Sequence, residues 1–261
     1  SESTDVLTTR VLCQIKRILK VATDYGFDEN LWHNYLTYIL ITDENPFTIT
    51  CEKLGAGDGS VNIFAKNDFK AFMELFNYDF TDIEKALGIN CFSVLSQYKS
   101  IVKPELMYNK NVSEKVISLS RKLEKAKDEN EFFDIVTGFY RDYGVGIFGL
   151  NKAFRIADNN SLGQMEDGHT IGNIKFYAIN NMDRVMLDDL IGYEIQKKKL
   201  VENTEAFVEG RKANNVLLFG DSGTGKSTSI KAIVNQYYDR GLRLIEIYKH
   251  QFKELSNVIA T

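Results

Sequence analysis

Asn214-Asn-Val-Leu-Leu-Phe-Gly-Asp-Ser-Gly-Thr-Gly-Lys-Ser-Thr228 is the stretch whose reading decides the fold. Residues 220–227 fit the pattern G-x-x-x-x-G-K-[ST], a phosphate-binding loop. Gly220, Gly223 and Gly225 let the backbone curl without Cβ clashes, so that successive N–H groups face inward. Lys226 supplies a cation expected to reach the β- and γ-phosphates of a nucleotide. The Ser227 hydroxyl is expected to ligate Mg²⁺, and the following helix offers the positive end of its dipole. Gly220, Asp221, Ser222, Gly223, Thr224, Gly225, Lys226, Ser227 and Thr228 are therefore the expected nucleotide-binding residues, with Lys226 and Ser227 in catalytic roles.

Such a loop needs a buried strand before it and an amphipathic helix after it. Val216, Leu217, Leu218 and Phe219 form the short continuous apolar run of a central parallel strand. Ile230, Ile233, Val234 and Tyr237 recur at helical spacing, and Gly241 supplies a stop. Leu242 to Tyr248 reads as a second strand, so the order strand, loop, helix, strand predicts a right-handed βαβ unit of a doubly wound sheet. A nucleotide hydrolase also needs a second acidic element at a strand end and an arginine that offsets transition-state charge. Neither is identifiable after Tyr248.

Upstream, most of the chain reads at helical period. Residues 5–23 and 28–42 are helix candidates, with Asp5 and Asp28 as N-caps and Gly26 between them. Val112, Val116, Leu119 and Leu123 share a face behind Asn111 and Glu114, which stand at capping-box separation. Phe132, Ile135, Val136, Phe139 and Tyr140 share another behind Asp128, so two adjacent amphipathic helices form a hairpin. From Gly144 to Asn173 the texture turns to glycine, aspartate and asparagine, including Asp158, Asn159, Asn160, Gly163, Asp167 and Gly168, which is loop or linker composition. Residues 174–179 suit a short strand, Glu194 to Val208 a helix, and Gly210 to Asn214 a polar loop. The expected organisation is a mainly α N-terminal domain at 1–150, a linker at 151–183, and part of an α/β P-loop domain with a parallel sheet at 184–261.

Composition narrows the function classes. The chain has 261 residues, 44% hydrophobic and 12% aromatic, enough for one large or two medium cores, which argues against a disordered or fibrous protein. Lys and Arg number 32 against 36 Asp and Glu, a net charge of −4, so no blanket electrostatic grip on nucleic acid or an anionic membrane is implied. Cys13, Cys51 and Cys91 are far apart and odd in number, without the close pairs of metal or disulfide frameworks, which points to a reducing, cytoplasmic setting. Apolar runs stop at about five residues where a spanning helix needs roughly 20. The chain starts at Ser1 and ends within a helical pattern at Lys253 to Thr261, so it is expected to be a piece of a longer protein.

Several other features invite chemistry and have plainer readings. Gly144-Val-Gly-Ile-Phe-Gly149 fits G-x-G-x-x-G but follows a helix instead of a strand, so an ordinary loop is expected. Ile39 to Glu44 reads as a helix end, and Val185 to Asp189 as the start of a loop or cap. His33, His169 and His250 lack any nucleophile signature nearby, Trp32 and Tyr35 suit a core, and Lys197 to Lys199 and Arg211-Lys212 suit a solvated face.

Leu187-Asp-Asp-Leu-Ile-Gly-Tyr193, then Asn203 and Phe207, then Asn214 to Thr228, then Gly241-Leu-Arg-Leu-Ile-Glu246 together resemble the opening of the AAA+ ATPase core. More narrowly they resemble an uncharacterised bacterial family of predicted AAA+ ATPases, a domain of unknown function preceded by a helical region. The resemblance is specific over about residues 187–255 and weaker before, where it rests on Gly146 to Arg155. It implies that Leu190, Ile191 and Gly192 contribute to an adenine pocket, and that the Walker A roles fall on Gly223, Gly225, Lys226, Ser227 and Thr228. It implies ATP and Mg²⁺ as cofactors and, in a complete protein, hydrolysis coupled to remodelling or loading a partner, with homo-oligomer formation through the complete ATPase domain. The second acidic motif, sensor residues, arginine finger and lid of that family have no counterpart before Thr261. A nucleotide-dependent binding module gripping a protein or single-stranded DNA, as helicase loaders do, is the main alternative. A small phosphotransferase and a folded but incompetent piece are the others.

Overall fold

The apolar spacing of the first 150 residues is resolved into packed helices in the computed structural model, which describes residues 3–57, 59–100, 110–157, 169–179 and 182–260. The chain divides into two compact units, Ser1–Leu150 and Asn151–Thr261. Pro104 and the stretch from Asp158 to Gly168 lie outside the described residues.

The first unit is all helix among its described residues: α1 (Thr4–Tyr25), α2 (Leu31–Thr42), α3 (Pro46–Leu54), α4 (Val61–Phe76), α5 (Thr81–Leu87), α6 (Phe92–Ser96), α7 (Lys110–Glu124), α8 (Glu129–Tyr143) and α9 (Gly146–Leu150). Helix α1 buries Ile15, Ile18 and Ala22 along one stripe and ends on Gly26 in the left-handed region. The core gathers Leu31, Leu36, Leu40 and Ile41 of α2 with Val112, Val116, Leu119 and Leu123 of α7 and Phe132, Val136 and Phe139 of α8. Each such side chain contributes on the order of 1.5–3 kcal/mol by leaving water. An aromatic seam runs through it, with Phe69 within 6 Å of Phe47, Phe132 and Phe133. Tyr140 is fully buried, and its hydroxyl donates to the Leu40 carbonyl at 2.7 Å. Several buried polar groups are paired, two of them across more than 80 residues: Asn34 donates to Asp28 O and accepts from Ser120 Oγ, and Ser113 Oγ donates to Gly26 O, while the buried Thr37 hydroxyl has no partner among the described residues.

Helix ends depart from the expectations more than helix bodies do. Asp128 caps α8 as read, accepting from the Asn130 and Glu131 N–H groups. Asp5 does not cap α1: Ser3 holds that position and Asp5 lies in the first turn. Asn30, not Asp28, caps α2 by accepting from His33 N–H, because the Asp28 carboxylate is occupied by the Ser100 N–H at 2.8 Å. Asn111 is inside α7, its amide donating to Leu150 O, so the capping-box reading of Asn111 and Glu114 fails. The Gly144 to Gly149 run is a turn followed by the short helix α9, not a loop. Its glycines are needed for packing: Gly144 and Gly146 have φ of +83 and +64, and a Cβ on Gly149 would stand 2.5 Å from the Gly144 carbonyl group.

The second unit holds a four-stranded mixed sheet, β1 (Ala153–Ile156), β2 (His169–Ile171), β3 (Ile174–Ala178) and β4 (Leu244–Glu246), in the order β2-β3-β1-β4. The fold class is thus the expected one, a helical unit followed by a small α/β unit. Three of the four strands fall within residues 151–183, the stretch expected to be linker. β2 and β3 form an antiparallel hairpin through Gly172 and Asn173, with Ile171 opposite Ile174 and Gly172 at φ +57. β1 pairs antiparallel with β3 and parallel with β4, where Arg155 lies opposite Glu246 and bonds it at 2.7 Å. Gln251, buried in the 3₁₀ turn Lys249–Glu254, donates to Ile156 O.

The remaining helices are α10 (Glu194–Val208), α11 (Lys226–Tyr237) and α12 (Leu255–Ala260). α10 has the bounds expected. The strand expected at Val216–Phe219 does not form: these residues pair with no strand, and Leu217 and Phe219 are 82% and 87% exposed. The βαβ reading fails with it. After α11 and Gly241 (φ +92) the chain runs to β1, where Lys152 O accepts the Leu244 N–H at 2.9 Å, so β1 takes the place expected for residues 216–219.

Candidate nucleotide site

Gly220, Gly223 and Gly225 all have positive φ, at +142°, +81° and +79°. A Cβ on Gly223 or Gly225 would meet nothing within 4 Å, so the backbone conformation, not crowding, requires glycine there. Helix α11 begins at once with Lys226 and runs for 12 residues. The Ser229 N–H reaches Gly225 O at 2.8 Å, so the N–H groups of Lys226, Ser227 and Thr228 precede the helix's own ladder. Those donors and the dipole make an anion-binding end.

The Lys226 ammonium folds over the curl and donates to Gly220 O at 2.9 Å, Asp221 O at 2.6 Å and Thr224 Oγ1 at 3.3 Å. Thr224 Oγ1 donates in turn to Asp221 O at 2.8 Å, which closes the turn. Phosphate oxygens are stronger acceptors for an ammonium than carbonyls are, so this cation has a favourable exchange open to it. Asp221, Ser222 and Ser227 are exposed, while Thr224, Lys226 and Thr228 are half-buried. The residue set fits a magnesium-bound triphosphate: a glycine curl, one cation inside it, and a hydroxyl at the second helical position. Among the described residues no group of three or more His, Cys, Asp or Glu forms a metal site of its own.

The support of the loop comes from behind. Leu187, in the 3₁₀ turn Leu187–Asp189, shares a small core with Ala232, Ile233, Val234 and Tyr237 of α11, and Leu190 packs against it. Ile191 is 96% exposed, and Gly192 and Tyr193 both have positive φ. Of the three residues expected around adenine, Leu190 alone joins the packing of α11. Its carbonyl accepts from Lys197 Nζ at 2.8 Å, and the same ammonium meets Glu194 at 2.8 Å.

Two asparagines escaped the reading of the sequence as structural ties. Asn235 on α11 donates to Asp183 O and Val185 O and accepts from Lys152 Nζ, while Lys231 meets Asp183 at 2.7 Å. Asn203 on α10 holds Asn214 through two bonds. No periodicity announces such contacts, since they join segments distant in sequence. Tyr237 donates to Glu205 at 3.0 Å, and burial followed by that carboxylate pushes its phenol above the ordinary value. Arg211 and Arg240 hold the Glu209 carboxyl below its usual range. His33 stacks on Phe76 at 4.6 Å, and Trp32 donates to Leu75 O, both packing roles as expected.

Comparison with known proteins finds similarity to one family and to parts of larger proteins. The family described as "Protein of unknown function (DUF815)" matches residues 167–261. The replication factor C large subunit of Methanococcus vannielii is 36% identical over 75 residues, 29% of this chain and 15% of that protein. The replication factor C large subunit of Methanococcus maripaludis (strain C7) is 33% identical over 75 residues, 29% of this chain and 16% of that protein. The match thus spans about a sixth of the length of these curated relatives. No solved structure matches. These similarities support a relationship to the AAA+ superfamily. Among the described residues no helix is long and apolar enough to cross a membrane.

Proposed function

We propose that the second unit binds ATP with Mg²⁺ at Gly220–Thr228, and that the whole protein is a cytoplasmic AAA+ ATPase that works as a homo-oligomer to remodel or load a partner held by its helical unit. The carrying observation is the Lys226 ammonium, 2.9 Å from Gly220 O and 2.6 Å from Asp221 O inside a curl of positive-φ glycines at the head of a 12-residue helix. Bound nucleotide supplies the phosphoanhydride, and its metal supplies charge neutralisation. Lys226 turns from carbonyls to the β- and γ-phosphates and steadies charge there. The Ser227 hydroxyl ligates the metal, and the N–H groups at the start of α11 orient the phosphates. Leu190, with Ile191 and Gly192 beside it, is the proposed wall for the base.

A second reading, a nucleotide-dependent switch with little hydrolysis by this chain, is favoured by one contact. Glu246, the acid at the end of β4, is held by Arg155 at 2.7 Å, a partner that offsets its charge and that a metal or an oriented water would have to share.

Thermal unfolding with Mg·ATP, Mg·ADP and Mg·GTP tests the shared step. A ligand selective for the native state at about a hundredfold above its Kd stabilises by roughly 2.7 kcal/mol. Adenine nucleotides should raise the midpoint in the parent chain and not in Lys226→Ala. No shift with any nucleotide would remove both readings; where a shift is seen, phosphate release by the parent separates them.

A further inference from the structure

The helical unit carries a cleft of about 290 Å³ that the nucleotide reading does not use. Its walls are rings: Trp32, Tyr78, Phe80 and Phe92 line it, with Asp79 and Glu84 among them. Phe80 stacks on Phe92 at 4.0 Å and meets Trp32 and Tyr78 edge-on at 5.1 and 4.9 Å. Trp32 is anchored by its Nε1–H to Leu75 O at 2.8 Å, so that ring is held in place before anything binds.

The two carboxylates are held in place with acceptor capacity to spare. Asp79 Oδ1 accepts from Thr81 N at 2.9 Å and Thr81 Oγ1 at 2.5 Å, bonds that keep the carboxyl below its ordinary range and therefore ionised at neutral pH. Glu84 Oε1 accepts from the N–H groups of Phe92 and Ser93 at 2.7 and 3.2 Å. All these bonds fall on one oxygen of each carboxylate, which leaves Asp79 Oδ2 and Glu84 Oε2 to a ligand. Among the described residues no lysine or arginine lines the cleft, though His33 does and Lys85 is near enough to act on the Asp79 charge.

This combination selects its occupant by charge and shape. A phosphate or nucleic acid is repelled by the two carboxylates. A purely apolar group would strip water from them without replacing it. A guanidinium satisfies both walls, its flat face on the rings and its fork of N–H donors on the carboxylates, which an ammonium does less well. The Asn30 amide N–H₂ can donate, and the Ser93 and Ser96 oxygens, whose own protons go to Asn90 Oδ1 and Ser93 O, can accept, which suits a main chain on either side. We propose that this cleft receives an arginine side chain of a partner polypeptide.

Trp32 is the one tryptophan of the chain and lines the cleft, so its emission reports occupancy directly. The whole chain is titrated with acetyl-Gly-Arg-Gly-amide and with the citrulline and lysine analogues; citrulline keeps the shape and lacks the charge. The arginine peptide should give a saturable change, at least about tenfold tighter than citrulline and tighter than lysine. Asp79→Asn keeps an acceptor for Thr81 and so preserves the turn. It should weaken the arginine peptide severalfold while circular dichroism stays at the parent spectrum and the melting midpoint falls only slightly, since the charge-assisted part of the Thr81 bonds is lost. Equal binding of the citrulline or lysine peptide, an Asp79→Asn chain that binds as tightly as the parent, or no saturable response in the millimolar range would each overturn the assignment.

Discussion

Asn203 and Asn214 exchange two hydrogen bonds of 2.8 Å, the Asn203 amide donating to the Asn214 carbonyl and accepting from the Asn214 N–H. The pair ties the middle of α10 to the chain six residues ahead of Gly220. Because residues 216–219 have no sheet partner, this side chain is the anchor that fixes where the phosphate loop begins.

Asn203→Ala should therefore cost about 1–2 kcal/mol, two net hydrogen bonds at a half-buried site, in urea unfolding. Asn203→Asp removes the donor and places a carboxylate against the Asn214 carbonyl, so it should cost at least as much. If the loop depends on this anchor, nucleotide-induced stabilisation falls in both variants while Lys226 is untouched.

Two glycine-to-alanine changes in the helical unit should have opposite signs. At Gly149 the new Cβ would lie 2.5 Å from Gly144 backbone atoms, so the turn must move, and a loss of about 1–3 kcal/mol is expected. At Gly138, inside α8, a Cβ meets nothing within 4 Å and helical propensity alone acts, which should stabilise by about 0.5–1 kcal/mol. Urea midpoints of the two variants measured side by side decide the matter. A stabilised Gly149→Ala would mean that the turn is looser than its packing indicates.

Burial raises the Tyr140 phenol well above its ordinary value, with Cys51 and Asp43 adding to the effect. A folded-state pKa above the unfolded one gives stability that is complete below the unfolded value of about 10 and declines as pH rises beyond it. Stability of the parent chain should hence fall above about pH 10. In Tyr140→Phe the neutral-pH stability should be about 1 kcal/mol lower, because the bond to Leu40 O is lost, and the alkaline decline should be shallower. An equally steep decline in both chains would assign it to other groups.

What the sequence shows well is whatever a single residue type enforces locally. Three glycines and a lysine in fixed order demand the curl at 220–226, and the spacing of Val112 to Leu123 and Phe132 to Tyr140 demands buried helical faces. Caps are less readable because a distant partner can take the side chain, as Ser100 takes Asp28 from 72 residues away. β1 and β2, with four and three residues, are too short to show alternation within glycine- and asparagine-rich sequence. The site divides the same way: the phosphate loop is written in one segment, whereas the ties of Asn203 and Asn235 join segments that share no pattern. At Val216–Phe219 the sequence reports apolarity, and pairing is a separate matter settled by β1.

That separation can be measured at Phe219. A phenylalanine in a buried central strand costs about 3–5 kcal/mol when cut to alanine. At 87% exposure Phe219→Ala should change stability by no more than about 0.5 kcal/mol. Phe154→Ala in β1, where the ring is fully buried, is the reference and should show the full loss. Hydrogen exchange gives the same contrast without mutation, since the β1 backbone is laddered on both edges and that of residues 216–219 on neither. A large cost at Phe219 would mean that the run is covered in solution. If that cost grew with protein concentration, the cover would be a second copy adding a strand to this edge.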